Sequence, residues 1–184
     1  HYKKTGVNYM SLSSEYGSPD LILGEEFLTW LWYKSDIASS FFEDHSGEKF
    51  QVYVEKKVVV QGGNGNTKET ASVSGSLSPL REARFGLGTG KKVSRAFLRL
   101  EKNDLCWQFS ISANDFSFQS LRLPKIGEKG QGEDPDALIL EKVYLVEECL
   151  HMFDRIFETF ISMRFSDDWQ REVEAVRSWM TELD

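Results

Sequence analysis

The run Gly86-Leu87-Gly88-Thr89-Gly90-Lys91-Lys92 has the residue types of a phosphate-binding loop: glycines that let backbone N–H groups approach an anion, then a lysine. A P-loop needs four residues between its glycines, a Ser or Thr after the lysine, and a strand before it with a helix after it. Here three residues separate Gly86 from Gly90, Lys92 stands where the hydroxyl belongs, and the expected order is helix then strand. A helix stop followed by a turn accounts for the glycines. Glu148-Cys149-Leu150-His151 has the Glu-x-x-His spacing of di-iron bundles. Such sites need a second pair and further glutamates on facing helices, and a charged helix face is the better reading. His1, His45 and His151 are the only histidines, and Cys106 and Cys149 lack metal-ligand spacing. No Gly-x-Ser-x-Gly elbow occurs. Carboxylates are abundant, but no spacing singles out a catalytic pair. No catalytic residue, metal or cofactor is assigned, and the balance leans against an enzyme.

The basic residues are more suggestive. Arg81, Arg84, Lys91, Lys92, Arg95, Arg99, Lys102, Arg122 and Lys125 concentrate in the middle third of the chain. Arg95 and Arg99 share the outer face of one expected strand, and Arg81 and Arg84 share a face of the helix before it. Arg81, Arg84, Lys91, Lys92, Arg95 and Arg99 are the candidate phosphate contacts, whose binding is largely sequence-independent and salt-sensitive. Against them stands a formal net charge of −7 and an isoelectric point near 5.1, which argues against a strongly basic nucleic-acid binder. A solvated polar face balanced by acidic helices is the competing reading.

The elements that must position these residues follow from periodicity. At 184 residues the chain is long enough for one domain with a core. No apolar run is long enough to span a bilayer, and no leader is visible. The cysteines read as buried reduced thiols, which points to the cytoplasm. Residues 1–19 read as a flexible arm and 20–184 as a single domain, with 125–136 a charged, Gly-rich disordered loop. Gly24–Lys34 reads as an aromatic-rich helix, with Phe27, Leu28, Leu31 and Trp32 buried and Trp30 and Tyr33 off that stripe. Phe50–Gln61 reads as two strands about a polar turn at Glu55–Lys57, and Thr70–Ser74 as a short strand. Ser78–Leu87 reads as a helix with Ser78 capping it and Pro79 in its first turn. Lys92–Ser112 is a hairpin turning at Asn103-Asp104, and Phe116–Leu123 a further strand. Asp136–Phe165 is the longest helical pattern. Ile139, Val143, Val146, Leu150, Phe153, Phe157 and Phe160 alternate at spacings of four and three, with a second stripe through Leu138, Leu145, Met152, Ile156 and Met163. Two stripes imply two partners, which makes this helix the expected spine. Asp167 and Gln170 suggest a capping box for a last helix, antiparallel to the spine, along Trp169, Val173, Val176, Met180 and Leu183. The fold class is α+β: an antiparallel sheet with a C-terminal antiparallel helical hairpin, one helix long, and an N-terminal helix packed on it.

Three segments carry a family resemblance: Leu23–Asp36 (LGEEFLTWLWYKSD), Glu82–Lys125, and Val143–Trp169 (VYLVEECLHMFDRIFETFISMRFSDDW). They resemble the C-terminal half of bacterial recombination-associated proteins of the RdgC and RdgC-like family, over just under half of the chain. That resemblance implies an α+β homodimer that encloses duplex DNA with little sequence preference and modulates recombination. It places the protein in the cytoplasm, at the nucleoid where DNA is bound. The family is sometimes labelled an exonuclease, and no nuclease metal site is visible here. RdgC proteins are longer than this chain. The alternative is a homo-oligomeric interaction or scaffold protein that keeps the fold without binding DNA, with an exposed apolar patch formed by Trp30, Trp179 or the second stripe of the long helix.

Overall fold

The computed structural model describes residues 23–37, 40–62, 69–74, 77–125 and 135–182, with only the backbone described at 56–57 and 69–82. The elements in chain order are α1 (Leu23–Asp36), β1 (Phe41–Glu43), β2 (Lys49–Gly62), β3 (Glu69–Ser74), α2 (Leu77–Gly88), β4 (Lys92–Lys102), β5 (Leu105–Ser112), β6 (Phe118–Arg122), α3 (Pro135–Arg164) and α4 (Trp169–Thr181). The class is α+β, as the periodicities predict. The sheet is antiparallel in the order β1-β2-β4-β5-β6, and β3 also pairs with β2. β1 joins the first part of β2 and β3 its last part, while β4 runs along the opposite edge.

β2 corrects the sequence reading of two strands about a turn. It is one strand of 14 residues. The polar triplet Glu55-Lys56-Lys57 is taken up by a register shift between Val54 and Val58. A bulge of this kind leaves residues unpaired and bends the strand without reversing it. β1 has only three residues and gave no periodic signal. The hairpin β4–β5 pairs Lys102 with Leu105 across Asn103, whose φ is 53°. Asn is among the few residues that adopt this conformation readily.

The helices cover one face of the sheet. Val93 and, past a register shift, alternate residues Ala96, Leu98 and Leu100 of β4, with Trp107, Phe109 and Ile111 of β5, are buried beneath them. α1, not α3, is the central helix: every residue from Phe27 to Tyr33 is buried, including Trp30 and Tyr33. The Phe27 ring meets Phe153, Phe157 and Phe160 of α3 and Phe116 of the β5–β6 connection. Trp32 and Tyr33 meet Trp179 of α4. Edge-to-face contacts of this kind add to the area they bury. At its start α1 presses on the end of β5, and a Cβ on Gly24 would lie 1.9 Å from the Ala113 carbonyl oxygen. Only glycine permits that approach.

α4 docks on α1 and α2 through Val173, Val176 and Trp179, all buried. The predicted capping box does not form. Asp168 is the N-cap and makes no side-chain cap bond, while Gln170 donates to Glu174 at 3.3 Å. Charged partners tie the layers together. Arg164 Nε donates to buried Glu26 at 2.6 Å, Lys34 reaches Glu172 at 2.5 Å, and the Trp179 indole donates to Asp36 at 3.1 Å. The arm 1–19 lies outside the described residues. So does most of the expected loop, since Lys125 precedes the undescribed stretch and Pro135 and Asp136 already belong to α3.

Candidate interaction surface

Where α3 meets the sheet, two anchors hold it. The Trp107 indole N–H donates to the Leu145 carbonyl at 2.8 Å. One helical turn on, Glu148 accepts from Lys102 Nζ at the end of β4. Lys102 also contacts Asp44 at 2.5 Å and Glu48 at 3.0 Å, so one ammonium gathers three carboxylates. The β1–β2 turn presents Asp44 by local bonds: its Oδ1 accepts from Ser46 N at 2.8 Å, Ser46 Oγ at 2.7 Å and Glu48 N at 2.9 Å. The hydrogen bond from Lys102 holds the Asp44 carboxyl well below the usual carboxylate range. Burial alone would push the Lys102 ammonium down, but its bonds to Asp44, Glu148 and Glu48 reverse this and raise it. Sequence spacing gave no sign of this cluster, because its members come from a turn, a strand end and a helix far apart in the chain.

Beyond these anchors α3 changes character. From Leu145 onward it buries Cys149, Met152, Phe153, Ile156 and Phe160. Before Leu145 none of its residues is buried. Leu140 is 70% exposed, Tyr144 60%, Ile139 59%, Val143 48% and, a turn further on, Leu150 42%. Ile139, Val143, Val146 and Leu150 continue the spacing of Phe153, Phe157 and Phe160, so one stripe is core at one end and bare at the other. Trp30 and Trp179, suggested from the sequence as an exposed patch, are buried, as are Leu145, Met152 and Ile156 of the second stripe. The exposed apolar surface lies instead on the first stripe and on Leu140 and Tyr144 beside it.

The candidate phosphate contacts divide between the two sides of the molecule. Arg95 and Arg99 lie on the sheet face away from the helices. Arg95 is exposed, and Arg99 lies 4.1 Å over the Tyr53 ring and pairs with Glu55 at 2.8 Å and with Glu101. Register places Arg122 in the same cross-strand row as Arg99, with Gln108 between them. Lys92 pairs instead with Glu25 of α1 at 3.2 Å. Arg84 donates to the Glu182 carbonyl and lies over Trp179. Lys91 follows the α2 C-terminus, and of Arg81 only the backbone is described.

The Gly86–Lys92 run is the helix stop expected from its spacing. Lys91 N donates to Gly86 O at 3.0 Å and Gly90 N to Leu87 O at 3.0 Å, with Gly90 at φ 93°. This is the paired closure of a Schellman motif. Glu148 is committed to Lys102, and His151 is exposed. No group of His, Cys, Asp and Glu able to hold a metal occurs among the described residues. Burial pushes the Cys149 thiol up to about 12, which makes it a poor nucleophile. No helix among the described residues is long and apolar enough to cross a membrane. Compared with known proteins, the chain matches no family model, no curated protein and no solved structure.

Proposed function

We propose that this chain is a self-associating protein-interaction module that docks through the free half of α3. The observation that carries this reading is the bare end of the 4/3 stripe. Five large apolar side chains lie together on a helix whose far half is core. Taking about 150–250 Å² for a whole large side chain, they expose roughly 500 Å² per copy, within the range of the largest patches on a typical monomer, which are often functional. The test is mass in solution by light scattering or sedimentation, from micromolar to several hundred micromolar. The expected result is a rise from 21.1 kDa toward twice that value, abolished by Val143→Asp with the circular dichroism unchanged. A wild-type monomer at every concentration sinks the reading.

A second reading, the RdgC-like one, is a cytoplasmic protein that binds double-stranded DNA without sequence preference. Arg95, Arg99 and Arg122 on the outer sheet face favour it, since such residues supply phosphate contacts. The net charge of −7 and the pairing of Arg99 with two glutamates weigh against it. Anisotropy of a labelled duplex at low and moderate salt separates the two. Binding that falls steeply with salt and is lost in Arg95→Glu/Arg99→Glu supports the DNA reading. No binding at low salt removes it.

A further inference from the structure

We infer that the occupant of the free α3 face is the same face of a second copy, lying antiparallel about a twofold axis between Val143 and Val146; this rests on the self-association reading above. The first argument is area. Two copies together bury about 1,000 Å² of this surface, the lower bound for a specific interface. The second is spacing. Ile139, Val143, Val146 and Leu150 alternate by four and three, the period at which side chains of one helix enter the gaps of another. In an antiparallel pair Val143 layers against Val146 of the copy and Ile139 against Leu150, so the stripe is complementary to itself, as a twofold interface requires.

The third argument fixes direction. Past Leu150 the same stripe is already covered: Phe153 and Phe157 meet Phe27 of α1 and Phe116. A parallel partner helix laid on the stripe runs straight into those rings, carrying its own α1 to the same place. An antiparallel partner brings only its first turn toward α1, and its body lies beyond the free end of α3. The contact ends where the core begins on both copies.

The experiment is disulfide trapping combined with mass. Val143→Cys and Val146→Cys single variants are oxidised separately and as an equimolar mixture, and the links are mapped by mass spectrometry. The expected result is that the mixture forms the 143–146 link at least about tenfold faster than Val143→Cys links to itself, because disulfides form only between closely placed Cα atoms. Preferential self-linking of Val143→Cys in a protein that still doubles its mass overturns the antiparallel pair and leaves self-association standing. A monomer at every concentration overturns both. Mass doubling that survives Val143→Asp also overturns the proposal, because the contact then lies elsewhere.

Discussion

The two halves of α3 carry the same pattern and have opposite fates. From Phe153 to Phe160 the stripe closes an aromatic cluster with Phe27, Phe109, Phe116 and Phe118. From Ile139 to Leu150 it faces solvent, except at half-buried Val146. The bare half stays helical without a core because extending an existing helix adds a hydrogen bond for each residue fixed, whereas starting one does not. The docked half supplies the start, and Leu, Glu and Lys in the bare half are good helix formers. Periodicity records that a face is built to be covered. It does not record whether the cover belongs to the same chain.

The largest expected effect is in the docked half. Phe160 is fully buried against Phe27, Trp30 and Trp169. Phe160→Ala removes those contacts and leaves a cavity, at a cost of about 3–5 kcal/mol. Urea unfolding reads it, and a loss under about 1 kcal/mol contradicts the core described above.

Next comes the boundary between the halves. Lys102→Ala leaves Asp44, Glu48 and Glu148 facing one another without a cation, and about 1–2 kcal/mol is expected from removing the shared cation of a half-buried network whose Glu48 is exposed. The cluster also sets a pH window. The Asp44 pKa is lower folded than unfolded, so the unfolded chain binds more protons at acid pH. Its contribution is complete above an unfolded pKa of about 4 and is lost as pH falls below that. The Lys102 pKa is raised, so its contribution is complete below the ordinary lysine value and fades only as pH rises through the folded one. Wild-type stability from this cluster is therefore flat through neutral pH and falls in acid. In Lys102→Ala the acid fall attributable to Asp44 shrinks. An unchanged acid limb in the variant rules out Asp44 as its source.

Most elements were legible because one face of each is buried and the other is not, which writes period 2 or period 3.6 into the residues. The hairpin Lys92–Ser112, the docked half of α3 and α4 follow that rule. β2 was misread because Glu55-Lys56-Lys57 has turn composition, while the structure resolves the conflict by a bulge between long-range partners in β4. The importance of α1 was underestimated for a related reason. A helix buried all round has no strong stripe, so Trp30 and Tyr33 looked peripheral. The exposed surface was expected on Trp30 and Trp179, which sequence alone cannot distinguish from core aromatics. Their indole N–H groups are satisfied by Glu172 and Asp36, partners far away in the chain.

An effect of similar size tests the second anchor. Trp107→Phe keeps an aromatic ring in the core but leaves the Leu145 carbonyl without the indole donor. The cost expected is about 1–2 kcal/mol, from one lost hydrogen bond and a poorer fit. Hydrogen exchange sharpens the reading: amides of α3 before Leu145 should lose protection more than those after it, because the anchor sits at the junction. Equal loss across the helix means that Trp107 supports the core generally and does not mark the boundary.

The smallest effect is expected at the most exposed large apolar residue of the bare half. Leu140→Gln removes an apolar side chain that nothing among the described residues covers, so the stability of a dilute sample should change by no more than about 0.5 kcal/mol. The informative quantity is how that difference varies with concentration. If a second copy covers the stripe, association stabilises the wild type by mass action and the gap to Leu140→Gln widens as protein is added. The half of α3 that contributes nothing to folding in dilute solution then contributes to it only through the partner. A gap that stays constant from micromolar to several hundred micromolar means that Leu140 remains in water at every concentration, and the bare half of the stripe has no cover from its own kind.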